Sequence, residues 1–249
     1  MKPRCALKDE VYWRNQVAFF QKSARRFEKM GRDEPDRELR LRGLRLGWAR
    51  RLDLVRAQYS AGAPISKLAA TFVELVAALE AFLAEPDHEQ EYPYDLSDID
   101  DYVTLMALLS LGILFGASRE QLETVLKLGG KPGQDALYDA IAAWAIPGRS
   151  ARAKLLHPTP YALLHRALNV DDSDDAGTDM VEFLQKYYAG IKKVYFYDTH
   201  LKPEAGFAGY WSFESAVVVV VRDIDDSGFA DNLYYPADLA QYARTRRKK

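Results

Sequence analysis

Apolar side chains recur along this chain at the spacing of one helix face, and that period limits the fold more than any other feature. Trp13, Val17, Phe20, Ala24 and Phe27 lie at offsets of 4, 7, 11 and 14 residues, the stripe of an amphipathic helix. Gly31 reads as its stop. Leu41, Leu44, Trp48, Leu52, Val55 and Tyr59 write a second helix with arginines on its other faces, ending at Ser60-Ala-Gly62-Ala-Pro64. The two are expected to form an antiparallel pair. A third stripe runs from Leu68 through Phe72, Leu75 and Leu79 to Leu83, residues 102–115 make a fourth that is nearly continuous, and Ser118-Arg-Glu-Gln121 has the form of a capping box opening a fifth.

After Gly129-Gly-Lys-Pro-Gly133, a helix-to-helix turn, a helix is expected over 134–145, and Pro147, Pro158 and Pro160 then punctuate the chain. This places a seam between an N-terminal helical subdomain, 1–146, and a C-terminal one, 147–249. Beyond it, Tyr161–Leu168 reads as a short helix and Met180, Phe183, Leu184, Tyr187, Ile191, Val194 and Tyr195 as a long one. Val217–Val221 favours a strand by propensity, yet no second strand of comparable strength exists to pair with it, so it reads as the end of a buried helix starting near Gly209. The fold class is all-α, a multi-helix bundle of two closely packed helical subdomains.

With 34 Lys and Arg against 36 Asp and Glu, and 48% hydrophobic residues, the 249-residue chain is neither disordered nor fibrous. Its single cysteine, Cys5, near a terminus expected to be mobile, excludes a disulfide scaffold and is given no role. The first residues lack an apolar signal region, and Tyr102–Ala117 is shorter than the roughly 20 residues a bilayer span needs. A cytoplasmic protein without membrane contact is expected.

Charge is distributed unevenly. Residues 1–60 carry 16 basic and 8 acidic side chains, residues 61–249 carry 18 and 28, and five of those cations sit in the tail Arg244–Lys249. Three acidic stretches stand out, Glu85–Asp101, Asp171–Asp179 and Asp223–Asp231. Each alone reads as a solvated connector; together they suit a cationic partner such as the DNA-binding cleft of another protein. Asp171-Asp-Ser-Asp-Asp175 is dense in oxygens but lacks the spaced EF-hand pattern.

Catalytic signatures are missing. His88, His157, His165 and His200 have no zinc spacing, and no phosphate loop, dinucleotide fingerprint or nucleophile elbow occurs, so neither metal nor cofactor is expected. Asp198, His200 and Glu214 form the one candidate acid-base set, which would make the chain a small hydrolase; the competing reading is a polar network that fixes helix packing. The basic first two helices admit a nucleic-acid-binding regulator, against which stand arginines spread around the helices without interleaved aromatics, as on solvated faces.

The C-terminal third carries a recognisable series: Leu184-x-x-Tyr-Tyr188, Tyr195-x-Tyr-Asp-x-His200, Gly209-Tyr-Trp-x-Phe-Glu214, Ile224-Asp-Asp-Ser227 and Tyr234-Tyr-Pro-x-Asp-Leu239. In order and spacing it resembles the C-terminal domain of PoNi immunity proteins. Upstream, Tyr12-Trp13, Tyr59-Ser-Ala-Gly62, Tyr102 followed by Leu109-Ser-Leu-Gly-Ile-Leu114, and Asp135-Ala-Leu-Tyr-Asp139 resemble the N-terminal domain of the same family. The resemblance implies a helical cytoplasmic protein that binds and neutralises a PoNe-type DNase toxin delivered by type VI or related secretion, without catalysis. The partner would be the cognate toxin rather than nucleic acid; a homo-oligomer is compatible with the sequence but not deducible from it. Asp98, Asp100, Asp101, Asp172, Asp174, Asp225 and Asp226 are the expected contact residues. Tyr59, His200, Tyr210, Trp211, Phe213, Glu214, Tyr235, Pro236 and Asp238 are assigned to the scaffold.

Overall fold

The computed structural model describes residues 2–129, 131–149, 154–202 and 206–247; Gly130 of the glycine-rich turn and Lys248 and Lys249 of the basic tail lie outside them. Among these residues there are eleven α-helices, one short 3-10 turn (Thr199–Leu201) and no strand. The helices are α1 (Glu10–Asp33), α2 (Arg37–Ser60), α3 (Ile65–Leu83), α4 (His88–Glu91), α5 (Ile99–Phe115) and α6 (Arg119–Leu128), followed by α7 (Ala136–Ala145), α8 (Pro158–Asn169), α9 (Ser173–Gly190), α10 (Phe213–Arg222) and α11 (Ala237–Arg247). Contacts divide the chain into two compact units, Met1–Pro93 with Asp198–Gly209, and Tyr94–Tyr197 with Tyr210–Lys249. By these contacts residues 94–146 group with the second unit and the late segment 198–209 with the first.

In the first unit α1 and α2 run antiparallel, held at close range by glycine. A Cβ on Gly43 would stand 2.6 Å from the Gly31 backbone nitrogen, and one on Gly47 3.1 Å from Glu28 Cγ. Gly31 is therefore not the helix stop its sequence position suggests. It is a buried contact inside α1, which runs on to Asp33. Asp9 and Asp36 cap the two helices, accepting from the amides of Tyr12 and Leu39. The N-terminal segment is docked rather than loose. The amides of Arg4 and Cys5 donate to the Ser60 carbonyl, Arg4 Nη1 donates to the Ala63 carbonyl at 2.8 Å, and its guanidinium lies 4.7 Å from the Tyr59 ring centroid. These donors satisfy carbonyls that the end of α2 leaves without intrahelical partners. Gly62, at φ 85°, is needed where a side chain would fall on the Lys2 carbonyl. Cys5 is consequently buried, and burial pushes its thiol pKa up to about 11.

In the second unit α5 is the axis, with α6, α7, α10 and α11 packed on it. Thirteen of its 17 residues are buried, which explains an apolar run with no polar face. The valines of α10 are helical for a related reason. Val217–Val220 are buried among α5, α7, α8 and α11, so packing overrides β-propensity; the helix starts at Phe213 rather than near Gly209. Ser118 and Gln121 form the reciprocal capping box. α9 ends at Gly190, and Ile191 and Val194 are buried in turns beyond it. Arginines from α10 and α11 close three helix ends: Arg222 donates to the Val170 carbonyl after α8, Arg246 to those of Phe115 and Gly116 after α5, and Arg247 and Arg244 to Val220 and Ile224 at the end of α10. The described part of the basic tail thus has internal partners. No described helix is long and apolar enough to cross a membrane.

Gly43→Ala should lower the free energy of unfolding by about 2 kcal/mol or more, as overpacking against a backbone does. Gly177→Ala, where the nearest atom to a new Cβ is Ile224 Cγ2 at 3.9 Å, should be neutral or stabilising by up to about 1 kcal/mol. Urea denaturation of both variants checks this; equal effects contradict the glycine contact.

Candidate functional site

Helix starts take up much of the acidic sequence. Asp98 caps α5, its carboxylate accepting from the amides of Asp100 (2.8 Å) and Asp101 (3.1 Å), and Asp172 caps α9 by accepting from Asp174 (2.7 Å) and Asp175 (3.2 Å). Carboxylates in the first turn also face the positive end of the helix dipole, so acidic clusters belong there for stability alone. Asp100 Oδ1 further accepts from the Tyr195 amide at 2.7 Å and Asp101 Oδ2 from the Asp95 amide at 3.0 Å. Burial raises the Asp101 pKa, and its acidic neighbours add to the effect. Asp179, at the end of the second stretch, is buried inside α9 and held bidentately by Arg166.

The third stretch is a hydrogen-bonded turn. Asp225 accepts from both the amide and the hydroxyl of Ser227 at 3.0 Å, contacts that lower its pKa. Asp226 is half-buried and accepts from the Tyr235 hydroxyl (2.6 Å) and Arg244 (2.7 Å). Burial, then the Asp226 carboxylate, drives the Tyr235 pKa well up, so this tyrosine is a permanent donor. Of the seven expected contact residues, Asp174 has a carboxylate that takes no hydrogen bond among the described residues.

Two of the three acidic segments are brought together. Arg222, the last residue of α10 and the lead into 223–226, bridges them by donating to the carbonyls of Val170 and Asp171 (3.4 Å), and a Cβ placed on Gly177 of α9 would lie 3.9 Å from Ile224 Cγ2. Asp172, Asp174, Asp225 and Asp226 thus share a neighbourhood at the start of α9. Asp98, Asp100 and Asp101 belong at the other end of that helix, roughly 27 Å away at 1.5 Å per residue, because Tyr195 follows its C-terminus. There they adjoin a cleft lined by Ile99, Lys186, Lys192 and Lys193, whose cations oppose their charge. Glu85, Asp87 and Glu91, in the first unit, pair with Arg40 and Arg37.

A buried network that the charge pattern does not disclose organises the second unit. Asp135 is fully buried. It caps α7 through the Tyr138 amide (2.8 Å) and accepts from the Leu156 amide (2.7 Å) and the Tyr102 hydroxyl (3.0 Å). Asp139, also fully buried, accepts from the amides of Gly133 (2.9 Å) and Asp135 (3.2 Å) and from Arg149 Nε (3.1 Å). Burial, reinforced by Asp135, keeps Tyr102 protonated. Its ring lies 4.6 Å from that of His157, whose Nε2 meets the Leu96 carbonyl at 2.8 Å. Two carboxylates four apart among apolar residues were the only sequence signal of this hub.

The aromatic motifs sit in each unit's interior. Tyr59, Tyr210, Phe213, Glu214, Tyr235 and Pro236 are buried, Trp211 is half-buried and Asp238 is exposed in the first turn of α11. Tyr188 stacks on Tyr234 at 5.4 Å and meets Tyr210 edge-on at 5.0 Å; Ser212 Oγ donates to Glu214 at 2.8 Å. Asp198 and His200 lie in the first unit, where His200 packs 5.8 Å from the Phe207 ring, and Glu214 lies in the second. Among described residues no three His, Cys, Asp or Glu side chains are grouped to hold a metal ion. The basic helix α2 presents no bare row of cations: Arg37, Arg40, Arg50, Arg51 and Arg56 all pair with carboxylates.

Residues 4–127 match the family model described as "PoNe immunity protein (PoNi), N-terminal", and residues 133–239 match "PoNe immunity proteins (PoNi), C-terminal". The crystal structure of protein PA2201 from Pseudomonas aeruginosa superposes with a TM-score of 0.77 at 20% identity, covering 99% of this chain and 92% of that one, a likeness of fold. No curated protein matches.

Asp135→Ala should destabilise the protein by about 3–5 kcal/mol, because two buried donors and one part-buried donor lose their acceptor. Asp174→Ala should leave the denaturation midpoint unchanged. Similar midpoints for the two variants in urea would contradict the division into structural and free carboxylates.

Proposed function

Since the chain belongs to the PoNi family of immunity proteins, which pair with PoNe toxins, we propose that it neutralises a cognate PoNe-type DNase in the cytoplasm by occupying the cationic surface with which that enzyme holds DNA. Matches to both halves of the family carry this reading. The juxtaposed acidic segments at the start of α9 support the choice of surface. A nuclease must present cations to phosphates, and carboxylates held by a helix cap or a turn, as Asp172 and Asp225 are, can meet the same cations with little loss of side-chain freedom on binding. Long-range attraction speeds encounter, and a few desolvated anchors slow release, so protection needs no turnover. Delivery of the toxin by type VI or related secretion belongs to the same proposal.

Asp172, Asp174, Asp225 and Asp226 form the principal contact patch in this account, with Asp98, Asp100 and Asp101 as a separate, weaker one beside lysines. Asn caps helices about as well as Asp. Asp172→Asn/Asp174→Asn/Asp225→Asn therefore removes charge while leaving the α9 cap and the 225–227 turn in place. Stopped-flow association with the toxin at low salt should slow by about tenfold in this variant, and its dependence on salt should flatten. An association rate equal to that of the unaltered protein rejects the patch.

A further inference from the structure

We propose that the first unit carries a second recognition site, a groove between α1 and α3 floored by α2, that takes a carboxylate-bearing peptide segment of a partner protein. α1 and α3 both pack on α2, leaving two adjoining clefts of about 470 and 300 Å³ that share Gln58 and Lys67. Arg51, Leu54 and Gln58, one stripe of α2, form the floor. The α1 wall runs from Glu10 to Arg25, about 22 Å at the helical rise, a length suited to a peptide rather than a metabolite.

Two independent features indicate the ligand. Arg14, Arg25 and Lys67 line the groove, are exposed and make no ion pair among the described residues, unlike Arg37, Arg40, Arg50, Arg51 and Arg56 of α2. Gln58 is 8% exposed, and its Oε1 is buried with no hydrogen-bond partner among the described residues. An amide oxygen left so is costly unless a donor arrives. A peptide supplies both needs, with carboxylates for the rim and a backbone N–H for the floor. Glu10 and Glu74 stand on the same rim, so an acidic ligand can place its charges only beside Arg14, Arg25 and Lys67; a peptide with spaced carboxylates meets that pattern, whereas a strand with a phosphate at every nucleotide does not. The inference does not rest on the acidic patch of the second unit and concerns residues of the first.

The test uses the full-length protein and a short fluorescein-labelled peptide of alternating glutamate and alanine, followed by anisotropy at low salt, with a short oligothymidylate as comparison. The peptide should bind, and Arg14→Glu/Lys67→Glu should weaken it by about tenfold or more. Gln58→Leu should also weaken it, yet leave thermal stability equal or higher, since an isosteric apolar group relieves the unpartnered amide. Unchanged peptide affinity in both variants, or tighter binding of the oligonucleotide than of the peptide, would overturn the proposal. Because no toxin is involved, either outcome leaves the immunity reading standing.

Discussion

Two carboxylates with no exposure to water, Asp135 and Asp139, hold the second unit together. Between them they accept from the loop before α7, from the first turn of α7, from α5 through Tyr102, from Arg149 and from the strand-free segment that leads to α8. Each of these is a backbone or side-chain donor that the interior would otherwise leave unpaired, and such an unpaired group costs more than a hydrogen bond usually returns. Burying an anion is unfavourable until enough donors converge on it. Here that requirement fixes where the irregular segments must pass. The helices supply apolar faces that could slide; the carboxylates fix their register.

The same logic governs the charged surface. Arginines of α2 meet carboxylates of α1, α3 and the α4 region in the first unit, and arginines of α10 and α11 close helix ends in the second. Net charge computed along the sequence therefore overstates the free charge. Among the described residues, the charges left without an ion pair include Asp174 at the start of α9 and Arg14, Arg25 and Lys67 along the α1–α3 groove.

Most helices were legible because their burial is one-sided, and one-sided burial writes a 3.6-residue period. Trp13 to Phe27 and Leu41 to Tyr59 are of this kind. Where burial is complete the period vanishes, and Val217–Val221 could be placed in a helix only by the lack of a strand partner. Gly31 misled because a glycine that stops a helix and one that admits a neighbouring helix are the same letter; the difference lies in Gly43, 12 residues on. Ile191 and Val194 continue the apolar series of α9 but are buried in turns, which periodicity does not separate from another helical turn. The acidic stretches were visible as charge. Their division between caps, a buried carboxylate at Asp179 and a free carboxylate at Asp174 depends on hydrogen bonds that only the folded backbone defines. Tyr59-Ser-Ala-Gly62 is now explained locally, as the helix end on which the N-terminal segment docks.

An inhibitor that works by occupancy differs from an enzyme in its stoichiometry. The decisive measurement is DNA cleavage by a fixed amount of the cognate toxin as this protein is titrated in. The account predicts that activity falls linearly and reaches zero at one equivalent, and that intact toxin is recovered active when the complex is dissociated. Full inactivation at a small fraction of an equivalent, or undiminished cleavage in excess protein, would contradict it.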